Sequence, residues 1–406
     1  MKTFPENFYW GAATASYQVE GGIENVDWAK AAREGKVPVC GLACDHYNRF
    51  EEDFDIAKEL GHNAHRLSVE WARIEPEEGK FNEEEIEHYR QVLRALRERG
   101  MKPFITLWHF TSPQWFVDKG GFEHKDAPQI FARYCVYVVE KLGDLCDSYS
   151  TINEALPYTS NGWRRGTWPP FKKWPGIDRV GVPTYSNFHK MKEEISMGNI
   201  FKYFYVLRNL AKAHNQAYDA IKSVRTAANV GIVHHVLLFH SNDNLFNKLR
   251  AKFMNWHWTH QHLSRVYKKC DSIGLNYYLH RKFGETSVYQ KTDMDWDVYP
   301  EGIYAALKML WRYKKPIYVT EAGVADHDDD IRADYIKKQV EAVGRALSEG
   351  VDVRGHMYWS LLDNYEWALG FEKRFGLVEI DYSTLERKIR PSAYTYKKII
   401  ERNGVV

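Results

Sequence analysis

The feature that most restricts the fold of this chain is an eightfold alternation. Short runs rich in β-branched and aromatic residues recur at 8–15, 63–71, 102–110, 148–154, 229–238, 271–278, 315–323 and 353–362, with helix-period segments between them. FEEDFDIAKELG places Phe50, Phe54, Ala57 and Leu60 on one stripe before Gly61. EEEIEHYRQVLRALRERG does the same with Ile86, Tyr89, Val92, Leu93 and Leu96 before Gly100. Apolar residues at this spacing, closed by a glycine, mark amphipathic helices. Further helical patterns cover 128–146, 201–223, 245–268, 303–313, 332–349 and 391–402. Such alternation implies parallel neighbouring strands joined by helical crossovers. Eight units fit a closed α/β architecture, the (β/α)8 TIM barrel, and no linker or composition break divides 1–406 into more than a single domain. An open doubly wound sheet would require a glycine-rich phosphate turn after the first strand, and the GGIENV that follows SYQVE is not one.

Composition removes several function classes. The chain's 406 residues, 44% hydrophobic, can bury a large core, and 56 Lys and Arg against 54 Asp and Glu give no footprint for a polyanion, so no nucleic acid partner is expected. No stretch approaches the roughly 18 to 20 apolar residues of a membrane span, and the beginning MKTFPENFYW lacks a secretion pattern, so a cytoplasmic protein with no membrane partner is expected. The odd set Cys40, Cys44, Cys135, Cys146 and Cys270 suits free thiols in a reducing compartment. No metal is expected. Cys40, Cys44 and His46 lack a second ligand pair, His234 and His235 face opposite ways on a strand, and His257, His260 and His262 lack a third ligand at matching spacing.

In a barrel of this kind, chemistry sits at the C-terminal strand ends. Those ends carry Gln18, Glu70 and Trp71, His109, Asn153 and Glu154, Asn276 and Tyr278, Glu321, and Trp359. Strand alternation groups Asn276 with Tyr278, and Arg66 with Ser68 and Glu70, all expected to face the barrel mouth. Glu154 and Glu321 each close an otherwise apolar or neutral run, where a carboxylate costs desolvation unless it is paired or used. A lone one reads as half of an Arg ion pair. Two at the ends of one barrel are what cleavage of a glycosidic bond requires, one to protonate the leaving oxygen and one to attack the anomeric carbon or activate water.

From about residue 4 to 400 the chain resembles the family 1 glycoside hydrolases, the β-glucosidase and β-glycosidase family. The resemblance is carried by FYWGAATASYQVEG (8–21), RLSVEWARIEP (66–76), TLWH (106–109), INEA (152–155), TEAG (320–323) and YWSLLDNYEWALGFEKRFGLVEIDY (358–382). It implies a retaining mechanism acting on terminal β-D-glucosyl or related unphosphorylated β-hexosyl residues, with Glu321 as nucleophile and Glu154 as acid/base. In that geometry the carboxyl groups stand roughly 5 to 5.5 Å apart. At an effective dielectric of about 20 two negative charges at that distance repel by about 3 kcal/mol, so both are not comfortably ionised. Arg66, matching the family's buried arginine, would hold Glu321 charged and leave the shared proton on Glu154. The resemblance also implies that Gln18, His109, Asn153, Glu366 and Trp367 contact the sugar hydroxyls, with Asn153 toward the 2-hydroxyl. Tyr278 would touch Glu321, Asn276 would support the pair, and Trp359 would floor the ring. No cofactor is implied, because two carboxylates and water complete the cycle. Glu366 stands where the phospho-sugar branch is expected to carry Ser.

The chain departs from the family pattern at Ala155, where Pro is usual, at Ala322, where Asn is usual, and at Phe110, where Trp is usual. Phe110 removes a donor beside the sugar. The chain is also shorter than typical members, with the loss concentrated around 239–270, which implies an open leaving-group side. The stretch SNGWRRGTWPPFKKWPG (160–176) mixes Trp163, Trp168 and Trp174 with Arg164, Arg165, Lys172 and Lys173, and reads either as an aglycone platform or as a loop anchored by its rings. Rival readings are a sugar-binding barrel without turnover, which would lack one carboxylate, and a β-galactosidase, β-fucosidase or β-mannosidase of the same mechanism. The glycone, the aglycone and the oligomeric state stay open at this level.

Overall fold

Eight parallel strands close into one barrel in the computed structural model, which describes residues 4–175 and 194–405. They are β1 (Tyr9–Ala13), β2 (Ala64–Ser68), β3 (Lys102–Thr106), β4 (Ser148–Asn153), β5 (Asn229–His235), β6 (Ser272–Tyr277), β7 (Ile317–Ala322) and β8 (Val353–Trp359). Each falls inside one of the eight runs read from the sequence. Around the ring every strand pairs with its sequence neighbours, and β8 returns to β1 with Tyr9 opposite Gly355 and Ala13 opposite Trp359.

Closure demands close backbone approach, and glycine supplies it. A Cβ on Gly11 would stand 1.8 Å from the Ala64 carbonyl oxygen, and one on Gly323 would stand 1.9 Å from that of Trp359. The glycine of TEAG therefore seats the end of β7 against the end of β8.

The helical patterns also hold: α1 (His46–Glu59), α2 (Glu83–Glu98), α3 (Ala127–Leu142), α4 (Gly198–Val224), α5 (Leu245–Asn255), α6 (Gly302–Leu310), α7 (Arg332–Ser348) and α8 (Pro391–Glu401). In α2 the Asn82 side chain accepts from the amides of Glu84 and Glu85, three glutamates occupy the first turn, and Ile86, Tyr89, Val92, Leu93 and Leu96 are buried. A cap and an acidic first turn both satisfy the positive helix end. The 245–268 pattern is broken into α5, a π turn at Trp256–His260 and a helix at Gln261–Val266. α1 starts four residues earlier than its apolar stripe, at His46, whose ring bonds Asp53 across two turns at 2.7 Å.

All five cysteines are free and buried. Among the described residues no group of three His, Cys, Asp or Glu could hold a metal ion, and no helix is long and apolar enough to cross a membrane.

Candidate active site

Both strands that end in the sequence-predicted carboxylates are irregular just before them. The pairing of β4 shifts register between Ser150 and Asn153, and that of β7 between Val319 and Glu321. Such irregularities re-aim side chains at barrel rims. Glu154 itself adopts a left-handed backbone (φ 45°, ψ 62°) and opens the short helix Ala155–Thr159. The chain thus turns sharply at the carboxylate, and Glu154 and Glu321 line one cavity that opens at the barrel mouth.

Their surroundings differ. Glu321 Oε1 contacts the Arg66 guanidinium, and Oε2 accepts a hydrogen bond from Tyr278 Oη at 2.6 Å. Arg66 is itself fixed by Nε donating to Thr106 Oγ1 at 2.9 Å and Nη2 donating to Asn153 Oδ1 at 2.8 Å, so it bridges β2, β3, β4 and β7. Glu154 Oε1 accepts from a neutral amide, Asn276 Nδ2 at 2.7 Å, and lies 3.4 Å from His235 Nδ1. Asn276 Oδ1 in turn accepts from Thr320 Oγ1 at 2.7 Å, which ties the two carboxylate strands through β6.

Burial, reinforced by the neighbouring Glu154 charge, pushes the Glu321 carboxyl above the ordinary carboxylate range, while Arg66 and Tyr278 pull the other way. Burial and the adjoining Glu321 likewise push the Tyr278 phenol far up, so it remains a donor.

Gln18, His109, Trp359, Glu366 and Trp367 line the same cavity. Gln18 Nε2 is anchored on Asn364 Oδ1 and the Tyr365 carbonyl, which leaves Oε1 without a protein partner. His109 Nε2 lies 3.3 Å from Asn153 Nδ2, and Nδ1 has no partner. Burial and Arg66 hold this imidazole far below its usual pKa, so it is neutral. Buried polar atoms without partners, gathered on one wall, suit a hydroxyl-rich ligand. The Trp359 ring lies parallel to His109 at 6.0 Å, and Trp367 is wedged among Tyr17, Trp28, Phe110 and Trp168.

Glu366 is pushed up to about 8, first by burial and then by the charges of Glu321 and Glu154. At neutral pH it holds a proton and can both donate and accept. Because its folded value lies above the ordinary 4.5, the folded state binds more protons than the unfolded one between those values, so this group's contribution to stability falls as pH rises through that window. Replacing it with the neutral isostere in Glu366→Gln is expected to flatten the decline of Tm over that range, measured by thermal unfolding at stepped pH.

Several expectations are corrected. Ser68, Glu70 and Trp71 do not face the cavity: Ser68 Oγ bonds the Ser16 amide, and Trp71 stacks on Tyr134 in the core. Glu70 caps the helix Trp71–Ile74 and accepts from Ser16 and Thr111. These hydrogen bonds settle its oxygens on the far side of the strand end. Asn153 lies beneath the wall with Arg66 and Asn276, rather than on it.

The 160–176 stretch divides. Asn161, Arg165, Thr167 and Trp168 line the cavity, whereas Trp163 is buried and donates to Glu123 and Trp174 packs on Tyr203. Gly176 lies outside the described residues. Sequence reasoning missed His235, Trp258, Arg281 and Trp296 on the cavity wall. Only His235 carried a signal, as the last residue of a strand.

The glycosyl hydrolase family 1 model matches residues 1–288 and 261–405, nearly the whole chain. The chain belongs to glycosyl hydrolase family 1. Family 1 enzymes are retaining glycosidases, so this chain is a glycoside hydrolase of the retaining type. It is 32% identical to a 1,4-beta-D-glucan glucohydrolase of Thermotoga neapolitana, with 100% of each chain covered. Among solved family 1 structures, a beta-glycosidase from Pyrococcus horikoshii is 36% identical with a TM-score of 0.88, covering 100% of this chain and 96% of that one. A beta-glucosidase from Thermotoga maritima in complex with glucoimidazole is 30% identical with a TM-score of 0.89, with 100% of both chains covered.

Proposed function

We propose that the protein hydrolyses terminal, unphosphorylated β-D-glucosyl residues, with Glu321 as nucleophile and Glu154 as general acid and then base. The observation that carries this reading is the unequal environment of two carboxylates in one cavity, one held by a guanidinium and a phenol and the other by a neutral amide. The contacted oxygen of Glu321 is oriented to attack, and the proton on Glu154 goes to the departing glycosidic oxygen. Once the sugar is bonded to Glu321 its negative charge is gone, and Glu154 can take the proton of the incoming water. Gln18, His109, Glu366 and Trp367 supply polar contacts to the glycone. Asn153 acts from below through His109, and Trp359 floors the ring. A glucosyl glycone is supported by the glucan glucohydrolase and the glucoimidazole-bound beta-glucosidase among the relatives. Residues 1–406 act as one catalytic domain, and its five free thiols support a cytoplasmic setting.

A charged Glu366 would repel a sugar 6-phosphate. With that group protonated at neutral pH, exclusion rests instead on the lack of any ion-pair cation at Glu366 among the described residues. The test is a panel of nitrophenyl β-glycosides, in which the glucoside should be turned over and its 6-phosphate should not. An enzyme inert across the panel would refute the proposal.

Tyr278→Phe deletes one donor to a charged oxygen, a contact worth roughly 10- to 100-fold at the usual strength of such bonds. The expected result is a kcat lowered by that factor for a substrate whose first step limits the rate, with KM little changed.

A further inference from the structure

Two guanidinium groups reach the cavity without a carboxylate to pair with. Arg165 follows the π turn at Ser160–Arg164, and Arg281 lies on the short strand His280–Phe283, which pairs with Leu238–Ser241 at the rim. Among the described residues neither forms an ion pair. Arg165 makes one long side-chain contact, Nη1 to Asn161 Oδ1 at 3.4 Å, and Arg281 makes none. Burial, with the like charges of Arg164 and Arg281, pulls Arg165 down to about 10. Both arginines are thus close enough to feel one another, and they repel.

Two uncompensated arginines at a substrate cavity are an arrangement that an anion would relieve. Their place on the segment that follows Glu154 and on the strand that follows Tyr278 puts them toward the departing group. Trp168 and Trp258 line the same cavity.

We propose that the leaving-group side of the cavity is built for an aglycone that carries a carboxylate, held by Arg165 and Arg281. This deepens the glucosidase reading and rests on it. The carboxylate lies at the mouth, away from Glu321, whose charge is matched by Arg66.

The test compares 4-carboxyphenyl β-D-glucoside with its neutral methyl ester, which has the same shape and the better leaving group. The expected kcat/KM is about tenfold higher for the acid at low salt, the scale of a charge-assisted hydrogen bond, and the preference should shrink as salt is raised. Arg281→Gln and Arg165→Gln should each reduce the acid-to-ester ratio, and the double variant should abolish it. Equal rates for acid and ester, a preference that survives the double variant, or faster turnover of a glucoside 6-phosphate than of its parent would overturn the proposal. If neither glycoside is cleaved, the catalytic reading fails. Calorimetric titration of 4-hydroxybenzoate and its methyl ester then reads the subsite by itself. About tenfold tighter binding of the acid, lost in the double variant, supports the proposal, and equal binding overturns it.

Discussion

Glu321→Gly is expected to lower kcat for nitrophenyl β-glucoside by about 10⁴- to 10⁶-fold, the range for removing a member of a catalytic unit that acts together, and added azide is expected to restore turnover. The reason is geometric. The glycine opens space on the face from which Glu321 would attack, so azide can take its place and yield the α-glucosyl azide, while Glu154 still protonates the leaving group. The substitution also leaves Arg66, only 1% exposed, without its carboxylate. Losing one partner of a buried pair typically costs about 3 to 5 kcal/mol. Glu321→Gln, which keeps the volume and a hydrogen-bonding oxygen, separates lost chemistry from lost folding. Formation of the β-azide in the glycine variant, or no rescue with a folded protein, contradicts the assignment.

Glu154→Ala should behave differently. Loss of general acid catalysis costs about 10²- to 10⁴-fold for glucosides with poor leaving groups. It should cost far less for dinitrophenyl glucoside, which departs without a proton. Azide should then intercept the glucosyl-enzyme to give the β-glucosyl azide. The opposite anomers from the two variants, read by nuclear magnetic resonance, assign each carboxylate its step.

Much of this is legible in the sequence. The strands could be located because β-branched and aromatic runs at the barrel wall alternate with helical stripes such as Ile86, Tyr89, Val92, Leu93 and Leu96, and both signals are local. Glu154 and Glu321 could be picked out because a carboxylate at the end of an apolar strand needs a reason. Glu70 gave the same signal and misled, because its reason is the helix that begins beside it, together with Ser16 and Thr111 from other segments. Arg281 and Trp296 were invisible for a related cause. They reach the cavity on connections whose course depends on long-range packing, and no periodicity marks them. The same holds for the depth of Asn153, whose oxygen is drawn down into the layer below by contacts with Arg66 and Asn276 from other strands.

The left-handed backbone of Glu154 bears on whether this protein could be a sugar-binding relic. Residues with a Cβ resist that conformation, and glycine or asparagine would occupy it at lower free energy. The residue is, besides, only 8% exposed. A barrel relieved of turnover would gain stability by drifting to either residue here. A glutamate at so costly a position is what the proposed acid/base role calls for.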